Sequence, residues 1–156
     1  MNWLLDMLKN PFLLVPLSSW AEAQVLKTII HAVIHKKIDV LRLVGDGGMP
    51  SGHSATVSSL AVFCGCFYGT NSFQFAVTMI LAIIVCHDAM GVRLETGKQA
   101  VVLNELLSTL STLESMTKGE ISDVKLKEFV GHTPIQVLAG ILVGVANALL
   151  MYYIFM

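Results

Sequence analysis

The sequence predicts an all-α integral membrane protein, a four-helix bundle with an amphipathic helical hairpin between its third and fourth helices. Only 13% of the 156 residues are charged and the mean hydropathy is +0.71, whereas soluble domains carry roughly a quarter charged residues. The apolar residues fall into stretches close to the roughly 20 residues that a membrane-spanning helix needs. One polar region interrupts them, so we expect a single membrane domain over residues 1–156.

Four apolar stretches predict the membrane spans, over residues of about 11–36, 54–68, 73–92 and 133–156. The first contains Lys27, an ionisable group that is costly within a membrane and therefore needs a reason. The second is short but rich in alanine, serine and glycine, a composition that lets helices approach closely. The fourth is the most uniformly apolar. The small-residue faces also make a homo-oligomer compatible with the sequence.

The polar region 94–131 is predicted to form the helical hairpin. In its first half, leucine and valine recur at helical spacing while polar residues occupy the other faces, which is typical of an amphipathic helix. Gly119 then breaks the helix, and Ser122 can cap a short second one. The sequence leaves three roles open for this hairpin: a lid over a site, an anchor on the membrane surface, or a contact with a second subunit.

The basic residues predict the orientation of the bundle. Eight of the ten Lys and Arg residues lie in the loop after the first span or in the region after the third. With four spans these regions share one face, which the positive-inside rule makes cytoplasmic, with both termini outside. The same face receives the glycine-rich segment 45–55, Arg93 and His132, although they are distant in sequence. The net charge of −1 gives no reason to expect a nucleic-acid partner.

The residues at this face suit phosphoryl transfer. Segment 45–55 combines glycines with the start of a helix, where unpaired N–H groups and a partial positive charge favour an anion. His53 lies at that helix start and His132 at the start of the last span. One imidazole can act as a nucleophile while the other protonates the leaving oxygen. The cations Lys27 and Arg93 can stabilise charge on the phosphoryl oxygens.

Two motifs resemble the type 2 phosphatidic acid phosphatase superfamily, which includes the vanadium haloperoxidases. Pro50-Ser51-Gly52-His53 is similar to the second signature motif, and residues 132–140 resemble the end of the third. Residues 47–51 and 88–93 look more specifically like the divergent branch, which comprises small bacterial and plant membrane proteins. The similarity runs in order over about residues 23–144, most of the chain.

The resemblance implies a role for each matching position in the two motifs. His132 would be the nucleophile that forms a phosphohistidine, and His53 would be the general acid. Ser51 and the amide of Gly52 would contact the phosphate. The family's chemistry needs no metal, so we expect no metal and no cofactor.

Three positions depart from the family's pattern. Arg93 would stand in for an arginine that normally lies six residues before the nucleophile, from which the polar hairpin separates it here. Lys27 would be the lysine of the first motif, but Ile34 occupies the place of the Arg-Pro expected seven residues later. Gln136 occupies the place of the acid that orients the nucleophilic histidine. Its carbonyl can accept the hydrogen bond but brings no charge.

Two further groups of polar residues are expected to be structural. Asp88 is predicted to support the site as the partner of Arg93 or Lys27. His31 and His35 are one helical turn apart, a spacing that can hold zinc, but the sequence offers no third ligand. We therefore predict no metal site there.

The resemblance thus implies a membrane phosphatase that hydrolyses a lipid phosphate or lipid pyrophosphate. Its location would be the inner membrane of a bacterium, with the site facing the cytoplasm. The alternative is a non-catalytic membrane protein that binds a lipid headgroup phosphate or acts as an assembly partner. The uncharged Gln136 is the feature that favours this alternative.

Overall fold

The computed structural model describes residues 2–36, 47–114, 126 and 131–155, with only the backbone for residues 4 and 111–114. Within these ranges the chain is helical and contains no strand. The second arm of the predicted hairpin, most of the loop after the first span, and Gly45 and Asp46 lie outside the described residues. The helices are α1 Trp3–Leu8, α2 Pro11–His35, α3 Gly52–Tyr68, α4 Phe73–Met90, α5 Val92–Glu114 and α6 Pro134–Phe155.

Polar side chains begin three of these helices. The side chain of Asn10 accepts a hydrogen bond from the Phe12 N–H and so caps α2, while Ser72 caps α4 in the same way. Ser51 caps α3 by accepting from the Ser54 N–H at 3.3 Å. Serine and asparagine suit this position because their oxygens satisfy N–H groups that the helix leaves unpaired. The cap at Ser51 explains why α3 begins two residues before the predicted span and includes His53 in its first turn.

Helix α3 is the centre of the packing, in contact with α2, α4 and α6. It packs closely on α6, because Gly140 and Gly144 of α6 face it one turn apart. A Cβ atom on Gly140 would collide with the carbonyl oxygen of Ser51, and one on Gly144 would collide with the carbonyl oxygen of Ala55. Small residues thus bring the N-terminal ends of α3 and α6 together, and these ends carry the two predicted motifs.

In the part of the chain that the structure describes, two helical segments are long and apolar enough to cross a membrane, Phe73–Leu110 and Pro134–Phe155. The first runs from α4 through Gly91 into α5. Helix α3 has 17 residues, about 25 Å at 1.5 Å per residue, which falls short of a hydrocarbon core of roughly 30 Å. Helix α2 is longer but contains Glu22 and Lys27. The description as four spans therefore stays a prediction, whereas the all-helical architecture is confirmed.

The outer surface of the packed helices is strongly apolar. On α4, Ile80, Ile83 and Ile84 are each more than half exposed, and Leu138 and Leu142 on α6 are equally exposed. Soluble monomers rarely expose continuous apolar surfaces of this extent. Contact with lipid is the environment that this surface fits.

Helix α5 supplies the first arm of the predicted hairpin. It starts one residue after α4 ends, with Gly91 between them. The side chain of Asn104 donates to the Leu126 carbonyl and accepts from the Leu126 N–H, both at 2.9 Å. This pair of bonds ties the chain after α5 back onto α5. The hairpin as a whole stays a prediction, because the rest of its second arm is not described.

Candidate active site at the N-terminal ends of α3 and α6

His132 is held by the backbone on both sides. Its N–H donates to the Ala89 carbonyl at the end of α4 at 3.0 Å. The preceding Gly131 has a φ of 89°, a conformation that glycine adopts without strain. A Cβ atom on Gly131 would also collide with the backbone of Arg93 and Leu94. These contacts fix the imidazole at the start of α6, where only 4% of His132 is exposed.

Gln136 determines which nitrogen of His132 carries the proton. The Oε1 atom of Gln136 accepts from the Thr133 N–H at 3.1 Å and lies 3.3 Å from His132 Nδ1. Because a backbone N–H can only donate, the amide atom facing it must be the oxygen. The Nδ1 atom must then donate as well, and in the neutral ring the Nε2 atom keeps its lone pair. Gln136 therefore orients the ring of His132 and fixes its tautomer without bringing a charge.

The surroundings of His132 favour the neutral imidazole. Burial lowers the pKa of His132 below its ordinary 6.5, and the nearby charges of Lys27 and His53 lower it further. Hydrogen bonds to Gln136 and to the Gly48 backbone act in the opposite direction. A neutral imidazole at neutral pH is the form that a nucleophile requires.

These interactions bring together residues from three parts of the chain. Lys27 comes from α2, His53 from the first turn of α3, and Gly48 from the glycine-rich segment before α3. Lys27 is 4% exposed, whereas His53 is exposed. The sequence predicted this convergence at one face, although it gave no distances.

Ser51 connects the two motifs directly. Its N–H donates to the backbone carbonyl of Gln136 at 3.0 Å, and its hydroxyl accepts a hydrogen bond from Ser54 at 3.0 Å. Ser51 is fully buried, and its hydroxyl oxygen accepts both hydrogen bonds at the cap of α3. Gly52 and His53 follow in the first turn, where N–H groups have no partner within the helix. These amides are donors suited to an anion.

Arg93 and Asp88 bind each other. The Nε atom of Arg93 lies 2.6 Å from Asp88 Oδ2, and the two side chains are 52% and 40% exposed. The backbone of Arg93 packs behind Gly131, but the charges that act on His132 are those of Lys27 and His53. The structure thus shows the predicted pairing of Asp88 with Arg93, and shows the guanidinium bound to that carboxylate.

Gln24 is a site residue that the sequence analysis missed. It lies one turn before Lys27 on α2 and is 7% exposed, and its side chain packs against Gly52. In the part of the chain that the structure describes, its Oε1 atom has no hydrogen-bond partner. A buried polar atom of this kind calls for a partner. The spacing of three residues from Lys27 was the signal that could have revealed it.

No cluster of three or more His, Cys, Asp or Glu side chains able to hold a metal ion occurs among the described residues. His31 and His35 stack on each other, with ring centroids 4.1 Å apart. Stacked in this way, the two rings form a contact within α2 and lie on its partly exposed side.

The chain is similar to known proteins over almost its whole length. Residues 8–147 match the family described as the Divergent PAP2 family, PAP2 being the type 2 phosphatidic acid phosphatase. The uncharacterized membrane protein YuiD of Bacillus subtilis (strain 168) is 37% identical over 158 residues, which cover 97% of this chain and 100% of that protein. No solved structure matches the chain. Together with the two apolar helical segments, this relative identifies a membrane protein.

Proposed function

Because the chain belongs to the divergent PAP2 family, we propose that it hydrolyses a lipid phosphate or lipid pyrophosphate through a phosphohistidine intermediate. One observation carries the proposal. Gln136 holds the buried His132 with its proton on Nδ1, while Lys27 and His53 act on the same ring. A nucleophile, a cation and a second imidazole are the groups that phosphoryl transfer requires.

In the proposed reaction, the Nε2 atom of His132 attacks phosphorus and the bond from phosphorus to the lipid oxygen breaks. Protonated His53 donates its proton to the leaving oxygen, which gives a neutral lipid alcohol or a lipid monophosphate. Water then attacks the phosphohistidine, His53 takes the proton from that water, and inorganic phosphate leaves. The buried Lys27 and the amides of Gly52 and His53 stabilise the phosphoryl oxygens throughout.

Arg93 joins this mechanism only after it leaves Asp88. An ion pair as exposed as theirs contributes about 0–1 kcal/mol. A phosphate dianion can therefore draw the guanidinium away at small cost. In the proposal Asp88 holds Arg93 near the site until the substrate binds.

The test of the proposed function is phosphate release from a panel of lipid phosphates and pyrophosphates in vesicles, with a chelator in place of added metal. We expect release from at least one substrate by the wild-type protein and none above background by His132→Ala. A panel that gives no release from the wild-type protein contradicts the enzymatic function.

The second candidate function is binding of a lipid headgroup phosphate without turnover. The observation that favours it is the uncharged Gln136, since a carboxylate at this position would stabilise the imidazolium while an amide cannot. The anion-binding groups of the site are the same for both functions. The two candidates therefore predict different results for a negative charge at residue 136. Hydrolysis should become faster if the protein is an enzyme, and it should remain absent if the protein only binds the phosphate.

The Gln136→Glu variant is expected to hydrolyse the substrate about fivefold faster, because a hydrogen bond to a charged acceptor is about 1 kcal/mol stronger than a neutral one. The rate of the wild-type protein should rise with pH as His132 loses its proton, with the midpoint of the rise below the ordinary pKa of 6.5. A carboxylate at residue 136 favours the imidazolium and so raises the pKa of His132. The rise of the rate with pH should therefore occur at higher pH in Gln136→Glu. Initial rates over a pH series measure both effects.

The matched control is Gln99→Glu, the same change at an exposed position of α5, which should alter neither the rate nor the pH profile. Lipid phosphate that binds to wild type and to Gln136→Glu without turnover in either would support the second candidate. If the rate of an active Gln136→Glu variant rose over the same pH range as the wild-type rate, residue 136 would not act on the nucleophile.

We also propose that α2, α3, α4 and α6 all cross the inner membrane of a bacterium, with the site facing the cytoplasm and both termini outside. The distribution of Lys and Arg supports this orientation. Cysteines introduced as Tyr153→Cys, at an 88% exposed position, and as Lys98→Cys test it in a cysteine-free background. An impermeant thiol reagent should label the first from outside and the second only after the membrane is opened. The reverse pattern would contradict the orientation.

A further inference from the structure

An apolar cavity of about 250 Å³ lies between α3, α4 and α6. Its walls are mainly aliphatic, and small residues provide the space, with Ala61 of α3 and Ala82 of α4 among the lining residues. Ser58 also lines the cavity, but its hydroxyl donates to the Ser54 carbonyl of its own helix at 2.6 Å. Among the described residues the cavity is therefore lined by apolar groups, and an apolar cavity of this kind favours an apolar occupant.

The cavity begins close to the candidate active site. Cys86 lines it, and the side chain of Ser54 lies beside the Cys86 thiol. The Ser54 hydroxyl in turn bonds the hydroxyl of Ser51. Ser51 is joined through its N–H to Gln136, the residue that orients the nucleophile. The side chains of Ser54 and Ser51 thus lie between the apolar cavity and the residues proposed to surround the phosphate.

The cavity also reaches the outer surface. Ile83 lines it and is at the same time 57% exposed. The neighbouring outer face of α4, with Ile80 and Ile84, is apolar as well. A ligand inside the cavity can therefore be continuous with the surrounding hydrocarbon phase without crossing a polar surface.

We propose that this cavity binds the hydrocarbon chain of a phosphate ester whose phosphate lies at His132. The inference rests on the proposed function for the position of the phosphate, and adds the class of substrate: a phosphate on a single long acyl, alkyl or isoprenoid chain. Ala61 and Ala82 line the part of the cavity that this chain would occupy. A short, water-soluble monoester lacks this part of the interaction.

The first test fills the cavity with Ala82→Phe and compares dodecyl phosphate with butyl phosphate as substrates. We expect the ratio of kcat/KM for the long ester to that for the short ester to fall about tenfold, since loss of contact with two methylene groups already gives this factor. The matched control is Ala76→Phe at an exposed position of the same helix, for which the ratio should stay at the wild-type value. An unchanged ratio in a folded Ala82→Phe variant would overturn the inference.

The second test needs neither turnover nor a bulky substitution. In a Cys64→Ala, Cys66→Ala background, the half-buried Cys86 is modified with N-ethylmaleimide in the presence of dodecyl phosphate, inorganic phosphate or neither. Dodecyl phosphate should slow the modification about tenfold, and inorganic phosphate should leave its rate unchanged. Equal rates with and without dodecyl phosphate would overturn the inference.

The two proposals can fail separately. Hydrolysis of dodecyl phosphate with no protection of Cys86 would leave the phosphatase function standing and remove the chain-binding cavity. Protection of Cys86 without hydrolysis of any substrate would keep the cavity as a binding site for the chain and support headgroup binding without turnover.

Discussion

Replacement of His132 by alanine is expected to reduce phosphate release at least about 10³-fold, because the variant lacks the atom that forms the covalent intermediate. The backbone that positions residue 132 should persist, since the bond from its N–H to the Ala89 carbonyl does not involve the side chain. The variant should therefore fold and still bind the substrate. Initial rates of phosphate release from lipid vesicles, together with binding of the substrate, measure the two properties.

His35→Ala is the matched control for this loss. It removes an exposed imidazole at the C-terminal end of α2 and should leave the rate unchanged. If His132→Ala retained most of the wild-type rate while His35→Ala behaved as expected, His132 would not be the nucleophile.

Replacement of Lys27 by methionine is expected to lower kcat/KM about 100-fold, the loss typical of removing one group that stabilises charge in a transition state. Methionine nearly preserves the volume of this buried side chain and removes only its charge and donors. The charge of Lys27 lowers the pKa of His132, so its removal should raise that pKa. The increase of the rate with pH should therefore occur at higher pH in the variant than in the wild-type protein.

Lys98→Met is the control for this second variant. Lys98 is exposed and pairs with Glu95 on α5, so its substitution should change neither the rate nor the pH dependence. If Lys27→Met hydrolysed the substrate more slowly but with the pH dependence of the wild-type protein, Lys27 would support the fold and would not supply a charge that acts on the site.

The helices followed closely from the apolar stretches. The predicted first and fourth spans differ from α2 and α6 by no more than one residue at either end, because apolar runs bounded by Asn10 and Pro11 or by Gly131 and Pro134 have clear boundaries. The start of α3 was less clear, because the cap at Ser51 depends on a side-chain hydrogen bond that the hydropathy pattern does not record.

The sequence proposed which residues compose the candidate site but did not predict their geometry. The motifs identified His53, His132 and Gln136, and the topology brought Lys27 near them. The motif suggested that the glutamine weakens the site. The structure shows that the Thr133 N–H fixes the side-chain amide of Gln136 and that this amide fixes the tautomer of His132. A comparison of Gln136 with the acid of the family motif could not show this.

Arg93 shows the limit of assigning roles by position. The sequence placed it at the C-terminal end of α4 and suggested Asp88 as its partner. The position of an arginine in the sequence does not determine whether it binds a carboxylate or a phosphate. Gln24 and the cavity lined by Ala61 and Ala82 are the converse case. Each arises from contacts between helices. The spacing of Gln24 from Lys27 does not show its contact with Gly52, and the cavity leaves no motif in the sequence.

The most direct test of the account is to trap the covalent intermediate. Wild-type protein in vesicles is mixed with a substrate identified in the panel, stopped with alkali and digested, and its peptides are analysed by mass spectrometry. The account predicts one acid-labile phosphoryl group on the peptide that contains His132, absent from His132→Ala. Phosphate release by the wild-type protein with the phosphoryl group on another residue, or on none, would contradict it.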